Sequence, residues 1–170
     1  MRFYGGINVR STLVAAAGAF GMAAAMAGTG LTAAGASPRA GQAEAFRLVS
    51  GQVSGLASVI ATGAFTAGGT ANLNTGSVTL HFRGGTVRVN PRATRTNSSV
   101  DQRNCLLTVL QQGTYQLGQG TGRYAHLTGA GTYVLSVTGL LARNARGRCT
   151  ESRPARSLQQ VITAHGPVRG

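Results

Sequence analysis

The chain has 170 residues, which is enough for one domain once an export segment is removed. It carries 16 basic residues, all of them arginine, against 3 acidic ones, for a formal net charge of +13. So few carboxylates argue against chemistry that needs a pair of them, such as glycoside cleavage. The charge favours anionic partners such as nucleic acid, acidic polymers or a lipid surface, although solubility alone would also explain it.

The N-terminal segment, residues 1–36, has every part of a secretory signal peptide. Arg2 and Arg10 supply the positive start, residues 11–36 are uncharged and rich in alanine and glycine, and residues 34–36 (Ala-Gly-Ala) form a small-x-small cleavage pattern. An uncleaved membrane anchor is the alternative, because the apolar run is long enough to span a bilayer, but its alanine and glycine make it weakly hydrophobic. Cleavage predicts a secreted, extracellular protein, with association to the cell envelope left open.

Residues 37–45 are small and polar, and we predict that they form a flexible leader before a folded domain of residues 46–170. A second small-x-small pattern at residues 43–45 would move the mature start to Phe46. Removal of the signal peptide leaves 14 arginines against the 3 acidic residues, a charge of +11.

From Phe46 onward, apolar and polar residues alternate in short runs, which is typical of β-strands with one buried face. Glycine and polar residues separate these runs, and no amphipathic helical pattern follows the signal peptide. Eight short strands separated by turn signals predict an all-β fold, either a sandwich or a barrel. The predicted strands are residues 48–56 (broken at Gly51 and Gly55), 59–66, 77–82, 86–90, 105–112, 114–117, 132–138 and 158–164.

Residues 118–133 (GQGTGRYAHLTGAGTY) are the most distinctive stretch, because aliphatic and aromatic residues lie between glycines. Glycine supplies positive φ and close backbone approach where a strand turns, and tyrosine supplies a broad side chain that sheets favour. Tyr115, Tyr124 and Tyr133 lie before, within and at the end of the stretch. We interpret it as two antiparallel strands that meet at a glycine-built corner.

Two stretches that interrupt the alternation, residues 90–104 and 142–156, are predicted to be long exposed loops. Cys105 and Cys149 lie beside and within them, and an even cysteine count in an exported chain predicts a disulfide. This bond would stabilise the fold by about 4 kcal/mol through the loop that it closes, and it would bring both loops to one end of the molecule. The two loops carry eight arginines: Arg92, Arg95, Arg103, Arg143, Arg146, Arg148, Arg153 and Arg156.

Arg143, Arg146 and Arg148 are the candidate anion-binding residues of these loops, because guanidinium groups bind phosphate and carboxylate through paired hydrogen bonds. The partner expected for them is an anionic polymer of the cell envelope. Neither loop contains an aromatic residue that could stack on bases, so no specific nucleic acid partner is expected. The alternative is a pair of solvated loops that keep the protein soluble.

The sequence predicts no catalytic or metal site. His81, His126 and His165 have no metal-ligand spacing to one another or to the cysteines, and no G-x-S-x-G sequence marks a hydrolase nucleophile. Residues 120–125 fit the loose form of the dinucleotide fingerprint, but the glycines after them cannot open the helix that it requires. We expect no cofactor and no metal.

A glycine–tyrosine pattern lies between Cys105 and Cys149, with GTY at residues 113–115, GTGRY at 120–124 and GAGTY at 129–133. This pattern resembles that of one protein group. These are secreted bacterial proteins with the allene oxide cyclase-like barrel, in a superfamily that includes the plant dirigent proteins. The resemblance implies an eight-stranded antiparallel β-barrel whose lumen is able to hold an apolar ligand. Plant members associate through their barrel walls, which leaves a homo-oligomer open.

Enzymes of this superfamily place acidic and polar groups in the barrel cavity to steer a reactive intermediate. Here Glu44 falls in the predicted leader, and Asp101 and Glu151 fall in the arginine loops. None of the three matches a catalytic position, so no catalytic residue is predicted.

Our leading functional prediction is a secreted, non-catalytic barrel that binds a small, mainly apolar ligand in its lumen. One alternative is a cell-envelope interaction protein that binds acidic polymers through its arginine loops. The other is an isomerase with dirigent-like or cyclase-like activity. The candidate ligand-binding residues, each of which could equally be plain core, are Phe65, Phe82, Tyr115, Tyr124 and Tyr133.

Overall fold

The computed structural model describes residues 41–51, 55–73 and 77–170. The predicted signal peptide, residues 1–36, and the first part of the predicted leader, residues 37–40, lie outside the described residues. Within the described ranges, no helix is both long enough and apolar enough to cross a membrane.

The described chain folds almost entirely into β-strands. In chain order they are β1 (Gln42–Ser50), β2 (Leu56–Gly63), β3 (Ala67–Asn72), β4 (Val78–Phe82), β5 (Gly85–Asp101), β6 (Leu106–Gly118), β7 (Thr128–Leu140), β8 (Ala142–Arg143), β9 (Cys149–Thr150) and β10 (Ser157–Arg169). Eight of them close into an antiparallel ring in the order β1-β10-β7-β6-β5-β4-β3-β2, while β8 and β9 form a separate two-stranded sheet. The predicted all-β, eight-stranded antiparallel barrel is therefore confirmed.

Period-two alternation places one face of each barrel strand inside the ring. In β1, for example, Phe46, Leu48 and Ser50 are buried while Arg47 and Val49 face outward. Inward apolar side chains from all eight barrel strands form one hydrophobic core. Removing these side chains from water is the main free-energy gain that favours the closed ring over an open sheet.

The glycine–tyrosine pattern packs two tyrosine rings against the neighbouring strand. Gly113 of β6 pairs with Tyr133 of β7, and Tyr115 of β6 pairs with Gly131 of β7. A Cβ atom at Gly113 would lie 2.6 Å from Tyr133 Cε1, and one at Gly131 would lie 2.8 Å from Tyr115 Cε1. Each ring occupies the space that a side chain on the opposite residue would need, so glycine is required at both positions.

The predicted corner between β6 and β7 contains a 3-10 turn, Gly122–Tyr124, and it rests on the β4–β5 turn. The Arg123 N–H donates to Gly84 O (2.9 Å), and the Thr121 N–H donates to Thr86 O (2.9 Å). Gly122 has a φ of 59°, a left-handed conformation that glycine adopts without steric cost. These contacts hold the corner against one end of the barrel.

The first correction concerns the predicted leader, because β1 begins at Gln42. Composition alone suggested a flexible segment, but Glu44 already takes the inward position two residues before Phe46. Strand β1 pairs with β2 on one side and with β10 on the other, so it closes the ring. The prediction of a flexible leader is therefore wrong for residues 42–45.

The second correction concerns the first arginine loop, because residues 90–101 are the second half of β5. Both faces of this half are exposed, so it lacks apolar alternation, and hydrogen bonds to β6 keep it extended. Among the described residues it has a strand neighbour on one side only, and an edge strand tolerates Pro91, which has no N–H to donate. Arg92 and Arg95 therefore lie on an exposed strand and not in a loop with Cys105.

Two strand assignments differ from the prediction in ways that offset each other. Residues 67–69 (Ala-Gly-Gly), which the sequence predicts to close strand 59–66, are the first residues of β3, whereas the predicted strands 105–112 and 114–117 are the single strand β6. Glycine within a strand weakens the sequence pattern without breaking the pairing when neighbouring strands supply the hydrogen bonds. The predicted number of strands, eight, matches the number in the barrel only because one barrel strand was missed and another was divided in two.

Candidate functional site

The two ends of the barrel interior carry different side chains. The end where β1 begins and β6 runs into the corner is called the closed end here. The opposite end, where β6 begins and β7 stops beside the disulfide, is called the open end. The candidate ligand-binding residues and the candidate anion-binding residues lie at different ends.

Four of the five predicted ligand-binding residues form an aromatic cluster at the closed end. Ring centroids lie 5.4 Å apart for Phe65 and Tyr124, 5.5 Å for Phe82 and Tyr124, and 6.0 Å for Phe65 and Phe82. Phe46 is not among the predicted ligand-binding residues, but its ring connects Tyr115 to the cluster. The Phe46 ring centroid lies 6.2 Å from that of Phe65 and 6.3 Å from that of Tyr115. The edge-to-face and tilted contacts are those of packed aromatic core, so this cluster closes its end of the barrel.

The fifth candidate, Tyr133, lies farther along the interior towards the open end. Its hydroxyl donates a hydrogen bond to Gln111 Oε1 (3.0 Å) on the neighbouring strand β6. Burial raises the pKa of the Tyr133 hydroxyl. Tyr133 is thus a hydrogen-bonded wall residue, separate from the ring contacts of the aromatic cluster.

Glu44 is the first inward side chain of β1 and is only 2 % exposed. Its Oε2 accepts a hydrogen bond from the Phe65 N–H (3.1 Å), and beside it the Ala64 N–H donates to Ala43 O (3.0 Å). Glu44 thereby holds the turn between β2 and β3. Burial raises the pKa of its carboxyl group, and hydrogen bonds from the backbone of this turn only partly oppose the rise.

Two buried side-chain oxygen atoms, Glu44 Oε1 and Tyr115 Oη, have no hydrogen-bond partner among the described residues. Burial raises the pKa of the Tyr115 hydroxyl, and the negative charge of Glu44 raises it further. A buried polar atom without a partner costs about 1–3 kcal/mol. The two unpaired oxygen atoms of Glu44 and Tyr115 therefore carry a free-energy cost, which calls for an explanation beyond packing.

Two glycines make room for the Glu44–Tyr115 pair. Glu44 pairs with Gly166 of β10, and Tyr115 pairs with Gly131 of β7. Strands β10 and β7 are neighbours, and a Cβ atom at Gly166 would lie 2.7 Å from Gly131 Cα. The wall between the carboxylate and the phenol is therefore bare backbone on both intervening strands.

The interior at the open end is apolar but only half-buried. Leu107 of β6 and Leu158 of β10 both pair with Gly139 of β7, and Ile162 of β10 pairs with Leu135 of β7. Gly139 and Leu135 are buried, inward positions, so these three side chains also face the interior. Each of the three is only partly buried where it packs against the hydrophobic core. We call Leu107, Leu158 and Ile162 the apolar mouth.

The loop between β7 and β10 is fastened to the β5–β6 turn beside this mouth. Cys105 Sγ and Cys149 Sγ lie 2.06 Å apart, which confirms the predicted disulfide. Arg143 Nη1 donates to Gly147 O (2.6 Å), and its Nη2 donates to Arg103 O (2.5 Å). Of the three predicted anion-binding residues, Arg143 therefore already binds two backbone carbonyls, and these hydrogen bonds hold the loop in place.

The other two predicted anion-binding residues, Arg146 and Arg148, are exposed, and their guanidinium groups have no partner among the described residues. Asn144 Oδ1 accepts hydrogen bonds from the backbone N–H of Arg146 (2.9 Å) and of Arg148 (3.0 Å), which fixes the backbone of the loop. Arg156, at the end of the same loop, is exposed in the same way. We call Arg146, Arg148 and Arg156 the basic rim.

Among the residues that the structure describes, no three His, Cys, Asp or Glu side chains come together as a metal site would require. His165 Nε2 lies 3.2 Å from Thr132 Oγ1 on the outer wall. Asp101 accepts hydrogen bonds from Arg103 N and Asn104 Nδ2 (both 2.8 Å), which lower its pKa.

Comparison with protein-family models, with curated proteins and with solved structures gave no match to this chain.

Replacing Glu44 by glutamine is expected to stabilise the fold at neutral pH by about 1 kcal/mol. The folded-state pKa of Glu44 is raised, so its ionised form is less favourable in the folded than in the unfolded chain. The loss of folding stability caused by ionised Glu44 is absent below the ordinary pKa of glutamate. It grows as the pH rises from that value through the raised pKa. The amide keeps an oxygen for the Phe65 N–H and removes the buried charge.

Urea unfolding of the wild type and the Glu44→Gln variant at about pH 4 and about pH 8 measures this difference. The variant should gain stability over the wild type only at the higher pH. Glu151→Gln, which removes an exposed carboxylate, is the matched control and should change stability equally little at both pH values. A Glu44→Gln variant that is less stable than the wild type at about pH 8, but not at about pH 4, would show that the charge itself is needed in the fold.

Proposed function

We propose that this protein is a secreted, non-catalytic carrier whose barrel binds a small, mainly apolar ligand through its open end. The observation that carries the proposal is the apolar mouth, because Leu107, Leu158 and Ile162 face the interior and are only partly buried. When an apolar ligand covers a partly buried apolar side chain, more apolar surface is removed from water, and this makes the binding free energy more favourable. The aromatic cluster then serves as the floor of the site, with Tyr133 as the candidate closest to the ligand.

Secretion is part of the same proposal. The Cys105–Cys149 disulfide is a bond that persists in oxidising compartments, which agrees with the signal peptide predicted at residues 1–36. We also propose membership of the allene oxide cyclase-like superfamily, supported by the closed ring of eight antiparallel strands. Association through the barrel walls into a homo-oligomer stays a prediction.

An isomerase of the cyclase-like kind is the second candidate function, and one observation favours it. The sequence placed Glu44 in a leader, but Glu44 lies in the barrel interior with Tyr115, and both have an unpaired oxygen. A carboxyl group whose pKa is raised above its ordinary value is suited to proton transfer, and the Tyr115 hydroxyl, whose raised pKa keeps it protonated, is suited to donate a hydrogen bond. A bound ligand that changes its chromatographic retention but not its mass, and does so only when Glu44 is intact, would favour this function.

Native mass spectrometry of the protein purified from its own culture medium tests the carrier function. We expect an extra mass that is lost on denaturation, and we expect Leu107→Gln to reduce its occupancy about tenfold, because an amide in an apolar site must give up hydrogen bonds to water. The matched control is Leu110→Gln, since Leu110 is on the same strand but faces outward and is 41 % exposed. Equal loss in both variants, or an extra mass that both retain in full, would argue against ligand binding at the mouth.

A further inference from the structure

The basic rim lies beside the apolar mouth because the chain and its cross-links bring them together. The Arg156 N–H donates to Leu140 O (2.7 Å), where β7 ends, and Arg156 is two residues from Leu158 of the mouth. On the other side, Arg148 precedes Cys149, whose disulfide partner Cys105 is two residues before Leu107. Rim and mouth therefore share one end of the barrel.

The charge at this end is strongly positive and only partly balanced. Residues 101–105 and 142–156 together carry six arginines and two acidic residues. Asp101 already accepts hydrogen bonds from its own turn, and the guanidinium groups of the basic rim have no partner within the described residues. Three arginines that are held on a cross-linked loop and left unpaired are suited to an oxyanion, which they can bind through paired hydrogen bonds.

An apolar mouth and an anion-binding rim at the same opening match one class of ligand. We infer that the ligand is a single-chain amphiphile whose apolar chain enters the barrel and whose carboxylate or phosphate head binds the basic rim. This inference rests on the proposed carrier function and adds the chemistry of the head group. The disulfide and Arg143 fix the position of the loop, so binding has to order only the three arginine side chains of the rim and not the loop backbone.

Calorimetric titration with octanoate, octyl phosphate and octanol, each below its micelle concentration, separates the head from the chain. Wild-type protein is expected to bind the two anions about tenfold more tightly than the alcohol, which corresponds to one charge-assisted interaction. The double variant Arg146→Gln/Arg148→Gln should lose this preference and keep its affinity for octanol. The double variant Arg92→Gln/Arg95→Gln removes the same charge from the exposed half of β5 and should keep the preference.

Each other outcome contradicts a distinct part of the inference. Equal affinity for octanol and octanoate would overturn the role of the rim while leaving the carrier function intact. Binding of inorganic phosphate as tight as that of octyl phosphate would show that the rim acts alone, without the mouth. Sedimentation with vesicles of anionic lipid, but no binding of any octyl compound, would identify a membrane surface as the partner of the rim and would overturn both proposals.

Discussion

Replacing Cys105 and Cys149 together by serine is expected to lower the free energy of unfolding by about 4 kcal/mol. The disulfide joins residues separated by 44 positions, and in the unfolded chain it removes the conformational freedom of a loop of that length. In the folded protein it joins the β5–β6 turn to the loop after β7. Because a domain of this size is stabilised by only about 5–15 kcal/mol, the bond is a large part of the total.

Urea unfolding of the wild type, with and without reductant, and of the double serine variant measures this effect. Reduction should shift the wild type towards the variant, and it should leave the variant unchanged. The dependence of unfolding free energy on urea should also become steeper without the cross-link, because the freed unfolded chain exposes more surface. A double variant with the same midpoint and slope as the wild type would mean that the closed loop is already restricted in the unfolded state.

The strands with one buried face were predictable, because burial on one side leaves a period of two in the sequence. β7 is the clearest case, since Tyr133, Leu135 and Val137 are all inward, as the alternation indicates. The second half of β5 was not predictable, because its two exposed faces carry no such pattern. Its extended form depends on hydrogen bonds to β6, and those are decided by a partner elsewhere in the chain.

The position of Glu44 could have been predicted in part. Counting back in steps of two from Leu48 and Phe46 gives Glu44 an inward position, but the small, polar residues around it suggested a leader. No local pattern indicates which side chain lies near Glu44. Tyr115 comes close to it because only β10 and β7 separate β1 from β6 in the closed ring. The arginines show the same limit, since Arg146 and Arg143 look alike in sequence and only the fold commits Arg143 to Arg103 O.

Replacing Phe46 by alanine is expected to destabilise the protein by about 3–5 kcal/mol, the range measured for loss of a buried aromatic ring. Phe46 is 3 % exposed, and its ring packs edge-on against Phe65 and Tyr115. These contacts join the turn after β2 to the wall formed by β6, and the Glu44 carboxyl group accepts a hydrogen bond from the same turn. Loss of the ring would leave a cavity at the closed end, and the surrounding strands can fill it only partly because the barrel restricts their movement.

Phe46→Leu is the matched control and should cost less than about 1.5 kcal/mol, because it keeps most of the apolar volume. Thermal unfolding gives both values, and octanol binding at a temperature where both variants remain folded gives the functional comparison. If the aromatic cluster is the floor of the site, Phe46→Ala should lose stability and retain octanol affinity within about threefold. A Phe46→Ala variant that keeps its stability but no longer binds octanol would place the ligand among the rings at the closed end, and the apolar mouth would then be the entrance to the site instead of the site itself.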